Sequence, residues 1–255
     1  MKDVDERPFV ASCRTLEASA PLGWVKAGWS DYRQSVRVSL VYGAAIALIS
    51  IAVTALAWFV GRYVLVLAML SGFIFIAPLL ATGLYSVARQ VGRGERPSVA
   101  RSFGRMRHAL GNAMIYALVL MVIFLVWARA ASMVHIFFPA NEDAGIWGLL
   151  RFLSIGSAVG SIFALVTFSS AAFSLPMIVD RDVDMITACV TSVNAVLRNK
   201  PAMAVWISLI VGLTAIGFLT AGVGLAVVIP VLGYATYHGY EATIEADEWS
   251  VNPTR

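Results

Sequence analysis

The sequence predicts an all-α fold: a polytopic helical membrane protein with six transmembrane helices as three hairpins, each preceded by a cytoplasmic amphipathic helix. Three observations carry this. Hydrophobic residues make up 59% of the 255 residues and charged residues only 13%, with mean hydropathy +0.79; soluble domains carry about 25% charge. The charges cluster, leaving uncharged runs of about 20 residues, enough to cross a hydrocarbon core of about 30 Å. Such runs must be helical, because no water is present there to satisfy backbone groups. Finally, all Lys and Arg residues except Arg62, Arg129 and Arg151 fall on segments that share one side of the expected topology. By the positive-inside rule that side, with both termini, is cytoplasmic.

Residues 1–21 mix charges and lack the apolar stretch of a cleavable signal, so they are expected to be a disordered cytoplasmic tail. A single membrane domain follows over 22–245, and 246–255 is an acidic tail expected to fray. The first amphipathic helix, 22–37, places Val25, Trp29, Tyr32 and Val36 on one face. Trp24, Trp29, Arg33 and Arg37 are expected at the headgroup plane, where Trp and basic side chains are favoured. The first span covers about 39–60 and the second about 63–87, with Pro78 as its kink.

A basic segment then holds Arg89, Arg93, Arg96, Arg101, Arg105 and Arg107, broken by Gly92, Gly94 and Pro97. After Pro97 a short amphipathic helix is expected to set Arg101 and Arg105 at the interface, leading into a third span over 111–136. The fourth span, 152–179, is rich in small residues. Its Gly156 and Gly160 form a GxxxG step that permits close helix approach, so this helix is expected to be the most buried. A third amphipathic helix after Asp184 carries an apolar stripe of Ile186, Val190, Val193 and Leu197 opposite Thr187, Thr191, Asn194 and Arg198. Pro201 opens the fifth span, and the sixth ends near 240 with Pro230 inside it. Pro78, Pro176 and Pro230 occupy similar places in three units, 22–90, 97–180 and 184–241, which read as a threefold repeat. The alternative is that basic inner loops and prolines are common in any hairpin membrane protein.

The stretches GWSDYRQSVRVSLVYG (28–43), SGFIFIAPLLATGLYSVAR (71–89), FSLPMIVDRDVD (173–184) and NAVLRNKPAMAVW (194–206) resemble a bacterial family of integral membrane proteins, domain-of-unknown-function family 2189. The resemblance covers nearly the whole chain beyond the N-terminal tail. It implies a multi-span inner-membrane protein and supplies no catalytic residue. Similar proteins sometimes carry the label of oxidase subunit I. A haem–copper core needs six histidine ligands, whereas this chain has His108, His135 and His238.

Candidate chemistry is sparse. Asp180, Asp182 and Asp184 could hold a hard cation through their carboxylates. Equally, Asp184 can cap the next helix and Asp182 can pair with Arg181. No GxSxG, HExxH, Walker or GxGxxG motif occurs. Cys13 and Cys189 lie on the cytoplasmic side without CxxC spacing, which argues against a disulfide or zinc site. No cofactor is expected. A pI near 9.3 is assigned to topology and anionic headgroups rather than nucleic acid. The reading is an inner-membrane protein that is non-enzymatic, an accessory or scaffold to a membrane-protein partner or an organiser of lipid. The alternative is a transporter or channel for an uncharged or amphipathic solute, with a cavity bounded by the Pro-bearing helices and Thr82, Ser170 or Thr236. A lipid-acting enzyme would instead need Asp180, Asp182 or His238 to converge.

Overall fold

A computed structural model of the chain describes residues 8–60, 80–137, 145–220 and 222–251. In chain order it holds α1 (Ala20–Gln34), α2 (Val36–Val60), α3 (described over 80–92), α4 (Val99–Phe137), α5 (Gly145–Ala171), α6 (Ser174–Asp180), α7 (Met185–Arg198), α8 (Lys200–Leu219) and α9 (Leu225–Thr243). The strands β1 (Ser12–Cys13) and β2 (Ile244–Glu245) pair antiparallel. Among the described residues, Leu110–Val134, Ile146–Asp180 and Lys200–Leu219 are long and apolar enough to cross a bilayer. Most of the expected second span, including Pro78, lies outside the described residues.

The fold is organised around α9, which contacts α1, α2, α6 and α8. Close approach is achieved by glycine: a Cβ on Gly28 of α1 would sit 2.6 Å from the Val231 carbonyl and 2.7 Å from the Ala235 nitrogen. Pro230 lies buried within α9. Its missing N–H leaves the Ala226 carbonyl without the usual helical donor, and Gly43 of α2 packs against that same carbonyl. Trp24 joins α1 to this core, edge-on to Trp206 at 5.6 Å and to Phe173 at 6.1 Å. Its ring also covers Gly239.

Each boundary has a local cause. The α1 helix opens with Pro21 and ends at Ser35, whose N–H bonds the Asp31 and Tyr32 carbonyls. A Schellman motif closes α3: Glu95 N–H bonds the Gln90 carbonyl, Gly94 N–H bonds that of Val91, and Gly94 takes φ +69°. At Ala172–Phe173 the chain breaks between α5 and α6, four residues before Pro176, which can return no N–H to Ala172. Ser192 of α7 repairs this break, accepting from Phe173 N–H at 3.0 Å and donating to the Ser169 carbonyl at 2.7 Å. Asp184 caps α7, accepting from Thr187 N–H at 2.9 Å.

Four expectations are corrected. The segment after Pro97 and the third span are one continuous helix, α4, of 39 residues. No breaker intervenes, and Ser102 docks its start by donating to the Gly83 carbonyl and accepting from the Tyr42 hydroxyl. The tail expected to be disordered is ordered over its described residues, 8–21: β1 pairs with β2, Ala11 N–H bonds Thr191, and Leu16 N–H bonds Asn199. The C-terminal segment is likewise held, with Trp249 buried and Asp182 N–H on the Ser250 carbonyl. Finally, the fourth span is not one continuous helix: it divides into α5 and α6, and although it is the most buried of the three candidate spans, as expected, that burial is uneven. Leu150, Leu153, Ile162, Leu165 and Val166 along α5 are exposed, whereas every residue of α6 is buried.

Candidate functional site

The densest polar chemistry lies where α3, α6 and α9 meet. On α3, Thr82, Ser86, Arg89 and Gln90 are all buried. They recur at helical spacing on an otherwise apolar helix, so one polar face turns into the bundle. The Arg89 side chain is 2% exposed, and its Nε lies 3.0 Å from Asp180 Oδ1; its Nη1 donates to the Val179 carbonyl. Asp180 Oδ2 accepts from Arg181 Nε at 2.9 Å and from the Tyr240 hydroxyl at 3.2 Å, while the Tyr237 hydroxyl donates to Oδ1 at 3.4 Å. Arg181 continues outward to the Trp249 carbonyl at 3.1 Å and to Asp247. Burying a carboxylate is costly unless opposite charge and hydrogen bonds compensate it. Here it has two guanidiniums and two phenols.

Above Asp180 is a polar recess of about 190 Å³ lined by Arg14, Asp180, Arg181, Tyr240, Glu241, Glu245 and Asp247. A second, partly buried pair lies nearby between α9 and α1. His238 Nε2 is 2.7 Å from Asp31 Oδ2, with Glu241 3.8 Å from Nδ1. A third feature is an apolar cleft of about 280 Å³ between α2, α3, α8 and α9, lined by Ile46, Leu84, Tyr85, Ile210, Leu232 and Thr236 among others.

The structure disperses the acidic cluster that the sequence groups together. Asp180 is taken up by Arg89 and Arg181, Asp182 is exposed, and Asp184 caps α7. Among the described residues no group of three or more His, Cys, Asp or Glu is placed to hold a metal. The recess at Asp180 is lined by neither Asp182 nor His238, so the three groups required by a lipid-acting enzyme do not share it. His238 faces Asp31, and the His108 and His135 side chains lie outside the described residues. Of the polar residues proposed to bound a solute cavity, only Thr236 lines the apolar cleft. Ser170 bonds Tyr116 and Thr82 is buried elsewhere.

The interfacial and packing residues also divide. Trp24, expected among headgroups, is a core residue because its face of α1 is the one that meets α9. Trp29 is 48% exposed and stacks on Tyr32 at 5.5 Å. Arg33 and Arg37 are exposed, Arg101 pairs with Glu95 at 3.3 Å, and the Arg105 side chain lies outside the described residues. A Cβ at Gly156 would meet nothing within 4 Å, and one at Gly160 only Trp127 Nε1 at 3.9 Å. The GxxxG step is therefore not a tight helix contact: Gly156 meets nothing, and Gly160 reaches α4 only through the Trp127 ring.

Arg89 was missed as a site residue because it opens an arginine-rich segment and reads as its first member. The usable signal was the polar face of α3 that precedes it. Residues 65–180 match a family described as predicted integral membrane protein, domain of unknown function 2189. The match is narrower than the near-whole-chain resemblance read from the sequence, and it takes in both Arg89 and Asp180. Neither the curated proteins nor the solved structures hold a match to the chain.

Proposed function

We propose that this integral membrane protein crosses the bacterial inner membrane six times, with both termini cytoplasmic. In this reading it is a non-enzymatic scaffold for a membrane-protein partner or an organiser of the surrounding lipid. The observation that carries the reading is the orientation of α7. Its apolar residues Ile186, Val190 and Leu197 are exposed, while Thr187, Thr191 and Ser192 are buried. An amphipathic helix beside water would be turned the other way. This orientation suits a helix lying on the bilayer with its apolar face in the acyl region. The bare apolar flanks of α4, α5 and α8 and the exposed arginines Arg33, Arg37, Arg93 and Arg96 support the same placement. The main reactive groups in the polar core are engaged with one another, which favours structural work over turnover.

The test is extraction into polymer-bounded native membrane discs, followed by mass spectrometry of co-purifying proteins and lipids. The reading expects a stoichiometric partner or one enriched lipid class; a solitary protein carrying bulk lipid overturns it. A second reading, a carrier for an amphipathic solute, is favoured by the apolar cleft, whose lining includes two hydroxyl-bearing residues, Tyr85 and Thr236. It expects Ala81→Trp, which fills the cleft, to abolish uptake of such a solute into proteoliposomes.

A further inference from the structure

We propose that the recess at the junction of α1 and α2 binds the phosphate of an anionic phospholipid headgroup, with Arg33 and Arg37 as its ligands. The proposal rests on the lipid-organising reading and gives it a location. The recess, about 310 Å³, is lined by Arg33, Gln34, Val36, Arg37, Val38 and Pro97 among others.

Charge points to the ligand. Arg14, Arg89, Arg101 and Arg181 each reach a carboxylate. Among the described residues Arg33 and Arg37 reach none. The nearby acids are engaged: Asp31 is buried against His238, and Glu95 pairs with Arg101. Two planar guanidiniums in a recess without a counter-charge fit an oxyanion that accepts paired hydrogen bonds, which describes a phosphate.

The surroundings favour a lipid as the source of that phosphate. Ser35 breaks the chain between the two arginines with φ −126° and ψ 27°, so both project from the point where the apolar helix α2 begins. Along α2, Val36, Leu40 and Val41 are exposed, giving acyl chains an apolar surface below the headgroup. Trp29, half exposed, lies on the preceding turn, and such rings settle at headgroup level. The positive end of the α2 dipole adds to the field.

The experiment measures binding of phosphatidylglycerol to delipidated full-length protein. Probes are vesicles of phosphatidylcholine alone, vesicles of phosphatidylcholine with phosphatidylglycerol, and inorganic phosphate. Wild type is expected to bind the mixed vesicles selectively. Arg33→Gln with Arg37→Gln is expected to bind them on the order of 100-fold more weakly, from two charge-assisted hydrogen bonds to the phosphate of about 1.5 kcal/mol each. Arg93→Gln with Arg96→Gln, on exposed arginines outside the recess, is expected to retain most of the affinity. If both double variants lose affinity equally, general surface charge is responsible and the site is refuted. If wild type binds inorganic phosphate but not the mixed vesicles, the lipid source is refuted. If the Arg33/Arg37 variant keeps an enriched lipid through extraction, the site falls while the lipid-organising reading stands. If wild type enriches no lipid or partner, both fall.

Discussion

Replacing Asp180 by Asn should destabilise the protein more than any comparable change at its surface. The substitution keeps the shape of the side chain and removes its charge, leaving Arg89 with a side chain only 2% exposed and no carboxylate at Nε. Breaking a buried ion pair from one side costs about 3–5 kcal/mol, because the remaining charge keeps its desolvation penalty. The lower half of that range applies, since Asp180 is 11% exposed and Arg181 19%. For a chain of this size about 3 kcal/mol corresponds to a melting shift of roughly 6–12 °C. Unfolding in lipid nanodiscs can be followed through Trp24 and Trp206, which lie in the core.

The internal reference is Asp247→Asn. Asp247 meets the same Arg181 at 3.4 Å but is 88% exposed, and an exposed pair contributes about 0–1 kcal/mol. A double variant, Arg89→Met with Asp180→Asn, removes both charges and should recover a large part of the loss. If Asp180→Asn melts no lower than Asp247→Asn, or if the two single effects simply add, the buried network is not holding α3 to α6.

The remaining predictions concern helix packing, the α7 cap and the thiols. Gly28→Ala should cost about 1–3 kcal/mol, as overpacking does, because the new Cβ meets α9 backbone at 2.6 Å; Gly23→Ala meets nothing within 4 Å and should be neutral or slightly stabilising. Burial pushes the Asp184 carboxyl up, but hydrogen bonds from Thr187 and Ile186 outweigh it and hold the group below the usual carboxylate range. A depressed folded pKa gives stability that is present above the unfolded value and lost as pH falls through the folded one. Protection of the α7 amides, corrected for the intrinsic pH dependence of exchange, should therefore hold steady from neutral pH down to about 4 and fall below it, and Asp184→Ala should cost about 1 kcal/mol at neutral pH. Burial pushes the Cys189 thiol up to about 11, so maleimide should label it slowly at pH 7 and fast only after unfolding.

The sequence made the membrane class and most helix limits legible because those depend on local chemistry. Uncharged length identifies a span, Asp184 announces a helix start, and Gly94 followed by Pro97 announces a stop. It did not reveal the Arg89–Asp180 pair, because the two residues belong to different helices and each has a local explanation. Arg89 reads as an inner-face cation and Asp180 as part of an acidic turn. Nor did it reveal the clasp between the termini, where β1 reaches β2 across the full length of the chain.

The amphipathic helices show why one part of the fold cannot be read from periodicity. A stripe of Ile186, Val190, Val193 and Leu197 fixes the axis along which α7 is polarised, but not which side is inward. In water the apolar side must be inside; at a bilayer the lipid can take that side, and the sign is set by what the polar side finds. In this chain it finds backbone groups that neither helix nor sheet can satisfy. Thr191 accepts from Ala11 N–H, and Ser192 serves both Phe173 N–H and the Ser169 carbonyl. Those groups are unsatisfied because Pro176 breaks one helix and because the N-terminal segment crosses α7 with a single short strand. Leaving even one of them unpaired in a buried setting costs about 1–3 kcal/mol. The polar face of α7 is therefore turned inward by defects in two other segments, and its apolar face is left to the membrane.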